Sequence, residues 1–158
     1  MKTIVLATDG SDTAGAATAS AIELAAEQDA KLIVFAAWDL VYTPTAYTPV
    51  VPDWDRIDKP QAERVTEAAA DQARAAGVRA EAIIRRGYPV EQICRLAEER
   101  GATMIVVGTH GWGPLRRMVF GSVSTGVLHH ASCPVLVVRG GAPDEAPKEE
   151  HEREKAAV

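Results

Sequence analysis

Five short runs of apolar, largely β-branched residues recur along the chain, at 3–8, 31–38, 79–85, 103–108 and 134–139. Between them lie longer segments in which apolar residues return at i, i+3, i+4 and i+7, at 14–28, 61–76, 89–100 and 122–131. Unbroken apolar runs of strand length mark strands buried on both faces, and the 3.6-residue period marks the helices that cover them. The alternation predicts an α/β fold, a parallel sheet with helices on both sides and three layers in all. The third helix has the plainest signature: Val90, Ile93, Cys94 and Ala97 form one apolar stripe, Pro89 sits in the first turn and Gly101 follows as a stop. In such folds ligands gather at the carboxyl ends of the strands, where the chain reverses direction across the sheet.

Two stretches break the alternation. Residues 41–60 hold Pro44, Pro49, Pro52 and Pro60 together with Tyr42, Tyr47 and Trp54, and read as an extended surface loop of the kind that serves as a lid or partner surface. From Ala142 onward six acids face three bases, so residues 141–158 read as a solvated, disordered acidic tail with no site in it, following one domain over residues 1–140.

Composition sharpens this picture. Of the 47% hydrophobic residues 28 are Ala, and only 8 residues are aromatic, so thin Ala-faced helices should pack closely on Val/Ile/Leu strands. The longest apolar run, residues 32–38, is far short of the roughly 20 residues that cross a bilayer as a helix. Asp9 follows too few apolar residues for a secretory signal, and a cytoplasmic protein with no membrane partner is expected. Cys94 and Cys133 have no CxxC spacing and read as small buried hydrophobes. The formal charge of −5 speaks against nucleic acid as a partner, despite Arg85/Arg86 and Arg116/Arg117.

The densest chemical signal is Gly108-Thr109-His110-Gly111-Trp112-Gly113-Pro114-Leu115-Arg116-Arg117-Met118-Val119-Phe120-Gly121-Ser122-Val123-Ser124. It leaves the fourth strand and enters the last helix. Gly108, Gly111 and Gly121 let backbone approach a ligand without a Cβ in the way. The N–H groups of Gly121, Ser122, Val123 and Ser124 stand at a helix N-terminus, which carries about half a positive charge and suits an anion. The hydroxyls of Ser122 and Ser124 and the cations Arg116 and Arg117 favour phosphate further. The pattern is neither a Walker A loop nor a GxGxxG turn. The first strand ends in Ala7-Thr8-Asp9-Gly10-Ser11, which sets a carboxylate at the carboxyl edge where it can accept from ribose hydroxyls or adenine; the plainer alternative is that Asp9 or Ser11 caps the next helix.

On these residues the chain resembles the universal stress protein family. Gly108-x2-Gly111-x9-Gly121-Ser122 matches that family's nucleotide-binding signature G-x2-G-x9-G-[ST], Asp9 matches its first-strand aspartate, and Cys133-Pro134-Val135-Leu136-Val137-Val138-Arg139 is similar to its last strand. The resemblance covers about residues 1–140. It implies a Rossmann-like, adenine-nucleotide alpha hydrolase-like sheet of order 3-2-1-4-5, with ATP across strands 1 and 4. It also implies a homodimer paired through strand 5, by Pro134, Val135, Leu136, Val137 and Val138. By position, Gly108, His110 and Gly111 would wrap ribose and phosphates, Gly121, Ser122, Val123 and Ser124 would hold phosphates, Asp9 would face adenine or ribose, and Ala7, Ala37 and Val107 would border the base. Trp38 is expected to pack under the Pro-rich loop instead.

The function this implies is an ATP-dependent regulatory switch in stress response, in which ATP orders residues 109–120 and alters the surface shown to an unidentified protein partner. Magnesium would be held through phosphate oxygens. With one carboxylate in reach and His110 the sole loop histidine, no residue is assigned to catalysis and any ATP hydrolysis should be slow. The alternative is a nucleotide-independent dimeric chaperone or adaptor that uses the 41–60 loop as its contact surface. A phospho-receiver fails because its third strand would have to end in Asp, where this chain has Ile83-Ile84-Arg85-Arg86; a serine hydrolase fails for want of G-x-S-x-G.

Overall fold

A computed structural model describes residues 1–39, 57–109 and 121–140. The elements run β1 (Thr3–Ala7), α1 (Asp12–Glu27), β2 (Lys31–Trp38), α2 (Lys59–Ala75), β3 (Ala80–Arg86), α3 (Pro89–Glu99), β4 (Met104–Gly108), α4 (Ser122–His130) and β5 (Val135–Val138). All four strand pairings are parallel and the sheet order is β3-β2-β1-β4-β5, the order the resemblance implied. Among the described residues no helix is long and apolar enough to cross a membrane.

The layers follow from which faces the strands bury. Ile4, Val5 and Leu6 of β1 and Val106 of β4 are fully buried, as central strands covered on both sides must be. On one side Ile4, Leu6, Leu32 and Val34 meet Ala17, Ala21 and Ala25 of α1 and Ala69, Ala70 and Ala73 of α2. On the other, Val5, Ile33, Phe35, Ile105 and Val107 meet Ile93, Leu96 and Ala97 of α3 and Val127 of α4. The Ala stripes let the first two helices lie close to the sheet, and the larger side chains come from the strands.

Helix starts explain where the sequence boundaries shift. Ser11 caps α1, its Oγ accepting the Ala14 N–H at 3.3 Å, so the helix begins two residues ahead of the apolar period. Asp58 caps α2, accepting the Gln61 N–H at 2.8 Å, and Pro60 lies in the first turn. The loop expected over 41–60 therefore ends before Asp58: Ile57 is buried beside Ala36 and Ala62, and its carbonyl accepts the Asp39 N–H at 3.2 Å. The rest of that loop, residues 110–120 and the acidic tail lie outside the described residues.

The two edges of the sheet differ in kind. Along β3, Glu81 accepts from Lys31 at 2.6 Å and from Arg100 at 3.3 Å, Arg85 pairs with Glu99 at 2.6 Å, and Arg86 pairs with Asp39 at 3.3 Å. The Lys31 ammonium holds the Glu81 carboxyl below its ordinary range despite partial desolvation. Trp38 lies between two cations, Lys59 and Arg86, each 5.9 Å from a ring centre, and packs against the group of Ile57 and Ala62. The β5 edge has no such charges: Val135, Leu136, Val137 and Val138 are all apolar and only half-buried.

Candidate functional site

Next to β1 the sheet has β2 on one side and β4 on the other, so the connections diverge there and leave a crevice at the carboxyl ends. The cleft found at this point is lined from several directions, Ala14 of α1 and Ile57 ahead of α2 among them. β1 and its exit give Ala7, Thr8 and Asp9; β2 gives Phe35, Ala36 and Ala37; β4 gives Val107, Gly108 and Thr109; α3 gives Pro89 and Ile93; and the start of α4 gives Gly121, Ser122, Val123 and Ser124. Nine of the eleven residues singled out in the sequence thus come together across a span of more than a hundred positions. The other two, His110 and Gly111, lie outside the described residues.

The lining separates into two chemistries. Phe35, Ala37, Ile57, Pro89, Ile93 and Val107 make an apolar end, in which methyl side chains at 7 and 37 leave room for a flat group. Asp9, Thr109 and the α4 start make a polar end. Asp9 is held in place: its Oδ1 accepts the Ser11 N–H at 2.9 Å, across a turn that Gly10 makes at φ +79. An L side chain at Gly10 would meet both that strained φ and Val65 Cγ1 at 2.5 Å. The capping alternative therefore falls to Ser11, while Asp9 remains on the cleft wall.

At the other wall Gly121 is the N-cap of α4, with extended backbone and no side chain to satisfy the first turn. The first intrahelical bond runs from the Thr125 N–H to the Gly121 carbonyl at 3.0 Å, so the N–H groups of Val123 and Ser124 precede the ladder and aim out of the helix end. The Ser124 hydroxyl behaves differently from the donor expected of it. It is buried and gives its proton to the Gly121 carbonyl at 3.0 Å, so that Ser124 offers a ligand its N–H. Thr109, also buried, ties the two walls: its carbonyl accepts from the Gly121 N–H, and its own N–H donates to the Val138 carbonyl at 3.0 Å. Gly108 is required by a close approach, since a Cβ there would stand 3.0 Å from the Thr13 carbonyl oxygen at the head of α1.

Ile57, Phe35, Pro89, Ile93 and Thr109 were not singled out for the site. Pro89 had a readable signal, because a helix starting after a parallel strand points its first turn at the carboxyl edge; Ile57 had none, since it arrives from the end of a long insertion. Cys94 and Cys133 lie off this cleft, half-buried, and burial together with the Glu98 charge pushes both thiols up, away from thiolate chemistry at neutral pH. Among the described residues no three His, Cys, Asp or Glu side chains gather to hold a metal ion.

Comparison with known proteins adds a family and ligands. The sequence model of the universal stress protein family matches residues 1–139. The universal stress protein YxiE of Bacillus subtilis is 38% identical over 144 residues, covering 86% of this chain and 97% of its own. Among solved structures, a universal stress protein in complex with cAMP superposes with a TM-score of 0.67 at 29% identity, over 89% of this chain and 98% of that one. The universal stress protein of Archaeoglobus fulgidus in complex with dAMP superposes at 0.65 with 25% identity, over 87% and 98%.

Proposed function

Because the chain belongs to the universal stress protein family, we propose that it is a cytoplasmic, homodimeric, adenine-nucleotide-binding switch whose preferred ligand is ATP. The observation that carries this is the two-ended cleft: an apolar slot floored by small residues runs into a helix N-terminus across the gap between β1 and β4. Relatives with the same fold are complexed with cAMP and dAMP, both adenine nucleotides.

In this reading Ala7, Ala37, Phe35, Ile57 and Val107 desolvate the adenine, and Asp9 accepts a hydrogen bond from the ribose hydroxyls or the base edge. The N–H groups of Val123 and Ser124 donate to phosphate oxygens with the α4 dipole behind them. Gly108, with His110 and Gly111 beyond it, carries the backbone past the ribose. Magnesium would be held mainly by phosphate oxygens, since among the described residues Asp9 is the one carboxylate on the cleft wall. Among the described residues none is placed to generate a strong nucleophile, and in this reading the bound nucleotide acts as a signal, altering the surface that residues 109–120 offer a protein partner. The open β5 edge supports pairing of two copies through that strand, because an apolar, uncharged edge must be paired or covered.

A native mass spectrum of the purified protein, recorded before and after Mg-ATP is added, tests the reading. A dimer that gains one adenine nucleotide per chain is expected. A dimer that stays empty under saturating Mg-ATP would overturn it and favour an adaptor that works without nucleotide.

A further inference from the structure

We propose that the Thr109 side chain is a ligand-binding group of the cleft, its hydroxyl donating to the phosphate nearest the nucleoside. The inference rests on the nucleotide reading above and names a group that sets affinity at that same site. It starts from a comparison within the molecule. Among the described residues five polar ones are buried: Ser11, Thr18, Thr66, Thr109 and Ser124. Four of them have their hydroxyls bonded to the backbone. Ser11 accepts the Ala14 N–H at 3.3 Å, Thr18 donates to the Ala14 carbonyl at 2.8 Å, Thr66 to the Ala62 carbonyl at 2.7 Å and Ser124 to the Gly121 carbonyl at 3.0 Å. Thr109 is the exception. It is 4% exposed, its hydrogen bonds all run through its backbone, and its hydroxyl has no partner among the described residues. A buried hydroxyl left unbonded costs free energy that Val, of the same branched shape, would not incur.

The position of the residue supplies a reason for that cost. Thr109 follows β4 directly and lines the cleft together with Ser122, Val123 and Ser124. Both of its backbone groups are engaged, the N–H with the Val138 carbonyl at 3.0 Å and the carbonyl with the Gly121 N–H, so the residue is fixed against the α4 cap. Its β-branched side chain has little rotational freedom left to lose on binding. Helix α4 is nine residues long, and its glycine cap brings no side chain to the first turn. The N–H groups of Val123 and Ser124 therefore share a wall with the Thr109 hydroxyl. Three donors on one wall suit a group with several acceptor oxygens, and the helix dipole favours a negative one.

Depth decides which phosphate this is. A residue so little exposed stands at the bottom of the cleft, next in the chain to Val107 and Gly108, where the apolar slot gives way to the polar end. The group that directly follows the nucleoside arrives there, and further phosphates extend outward from it. The same contact therefore serves AMP and ATP.

The experiment uses the full chain. Adenosine, AMP and Mg-ATP are each titrated calorimetrically into the wild type, Thr109→Val and Thr109→Ser, and each protein is melted. Thr109→Val removes the hydroxyl and keeps the branched shape; Thr109→Ser keeps the hydroxyl. Thr109→Val should weaken AMP and ATP alike, by about ten- to hundredfold, the effect of losing a hydrogen bond to a charged group. Adenosine affinity should be unchanged, and the melting temperature unchanged or raised, because no bond inside the protein is lost. Thr109→Ser should recover most of the AMP and ATP affinity. A lower melting temperature for Thr109→Val would mean that the hydroxyl serves the fold, and undiminished AMP and ATP binding would mean that it meets no ligand; either result overturns the proposal and leaves nucleotide binding standing. A loss confined to ATP, or one that adenosine shares, would overturn the assignment to the first phosphate. Failure of all three ligands to bind the wild type would remove both readings.

Discussion

Gly121 separates the fold from the site at the scale of one residue. Its backbone is extended, at φ −76, so the position places no demand for glycine on conformational grounds. As an N-cap, Asp is at least as good as Gly, by a few tenths of a kcal/mol. Gly121→Asp should therefore leave thermal stability unchanged or slightly raised while setting a carboxylate where phosphate is to bind, and ATP affinity should fall at least tenfold. Calorimetric titration beside a thermal melt reads both; undiminished ATP binding in a stable variant would mean that the α4 end does not hold phosphate. Gly10 behaves in the opposite way, because its left-handed φ and the nearby Val65 make it a requirement of the turn that presents Asp9.

Between elements, the contact of α3 with α4 sets the width of the cleft, since Pro89 and Ile93 come from one helix and Val123 and Ser124 from the other. The helices meet at Gly126, where an added Cβ would lie 2.6 Å from Val90 Cγ2, too close without movement of a stiff side chain. Gly126→Ala should lower stability by about 1–2 kcal/mol, overpacking outweighing the gain in helix propensity. In a Val90→Ala background the same change should instead stabilise by about 0.5–1 kcal/mol. Thermal unfolding of the four proteins checks this, and a loss from Gly126→Ala of equal size in both backgrounds would show that Val90 is not the obstacle. The helix periods were legible in the sequence to within a turn, but the starts of α1 and α2 were set by Ser11 and Asp58, whose side chains satisfy backbone donors and carry no apolar period.

For the whole molecule, the contrast of the two sheet edges bears on assembly. The charged β3 edge resists further pairing and the apolar β5 edge invites it. In a parallel strand alternate residues turn their backbone groups to opposite neighbours. The carbonyls of Pro134 and Val138 accept from β4, so the N–H groups of Val135 and Val137 face the open edge. Val137→Pro removes one of these outward donors and leaves the β4 ladder intact. It should shift a dimer toward monomer by at least tenfold in dissociation constant, with the monomer still folded. Sedimentation at several concentrations measures the shift, and an unaltered dimer would move the contact away from β5.

What the sequence determined by itself was local or periodic: five strands, four helices, the parallel α/β class and a glycine-rich passage into a helix end, because each of these is a property of neighbours within a few turns. The nine residues of the cleft that meet in space were nameable in advance only through a signature spread along the chain and a family resemblance. Tertiary structure alone brought Ile57 and Pro89 to the apolar end, turned the Ser124 hydroxyl inward and joined β5 to the α4 cap through Thr109. Those relations depend on which strands lie side by side. That order is chosen by burying both faces of the central strands at once, a condition on the whole chain that no single segment expresses.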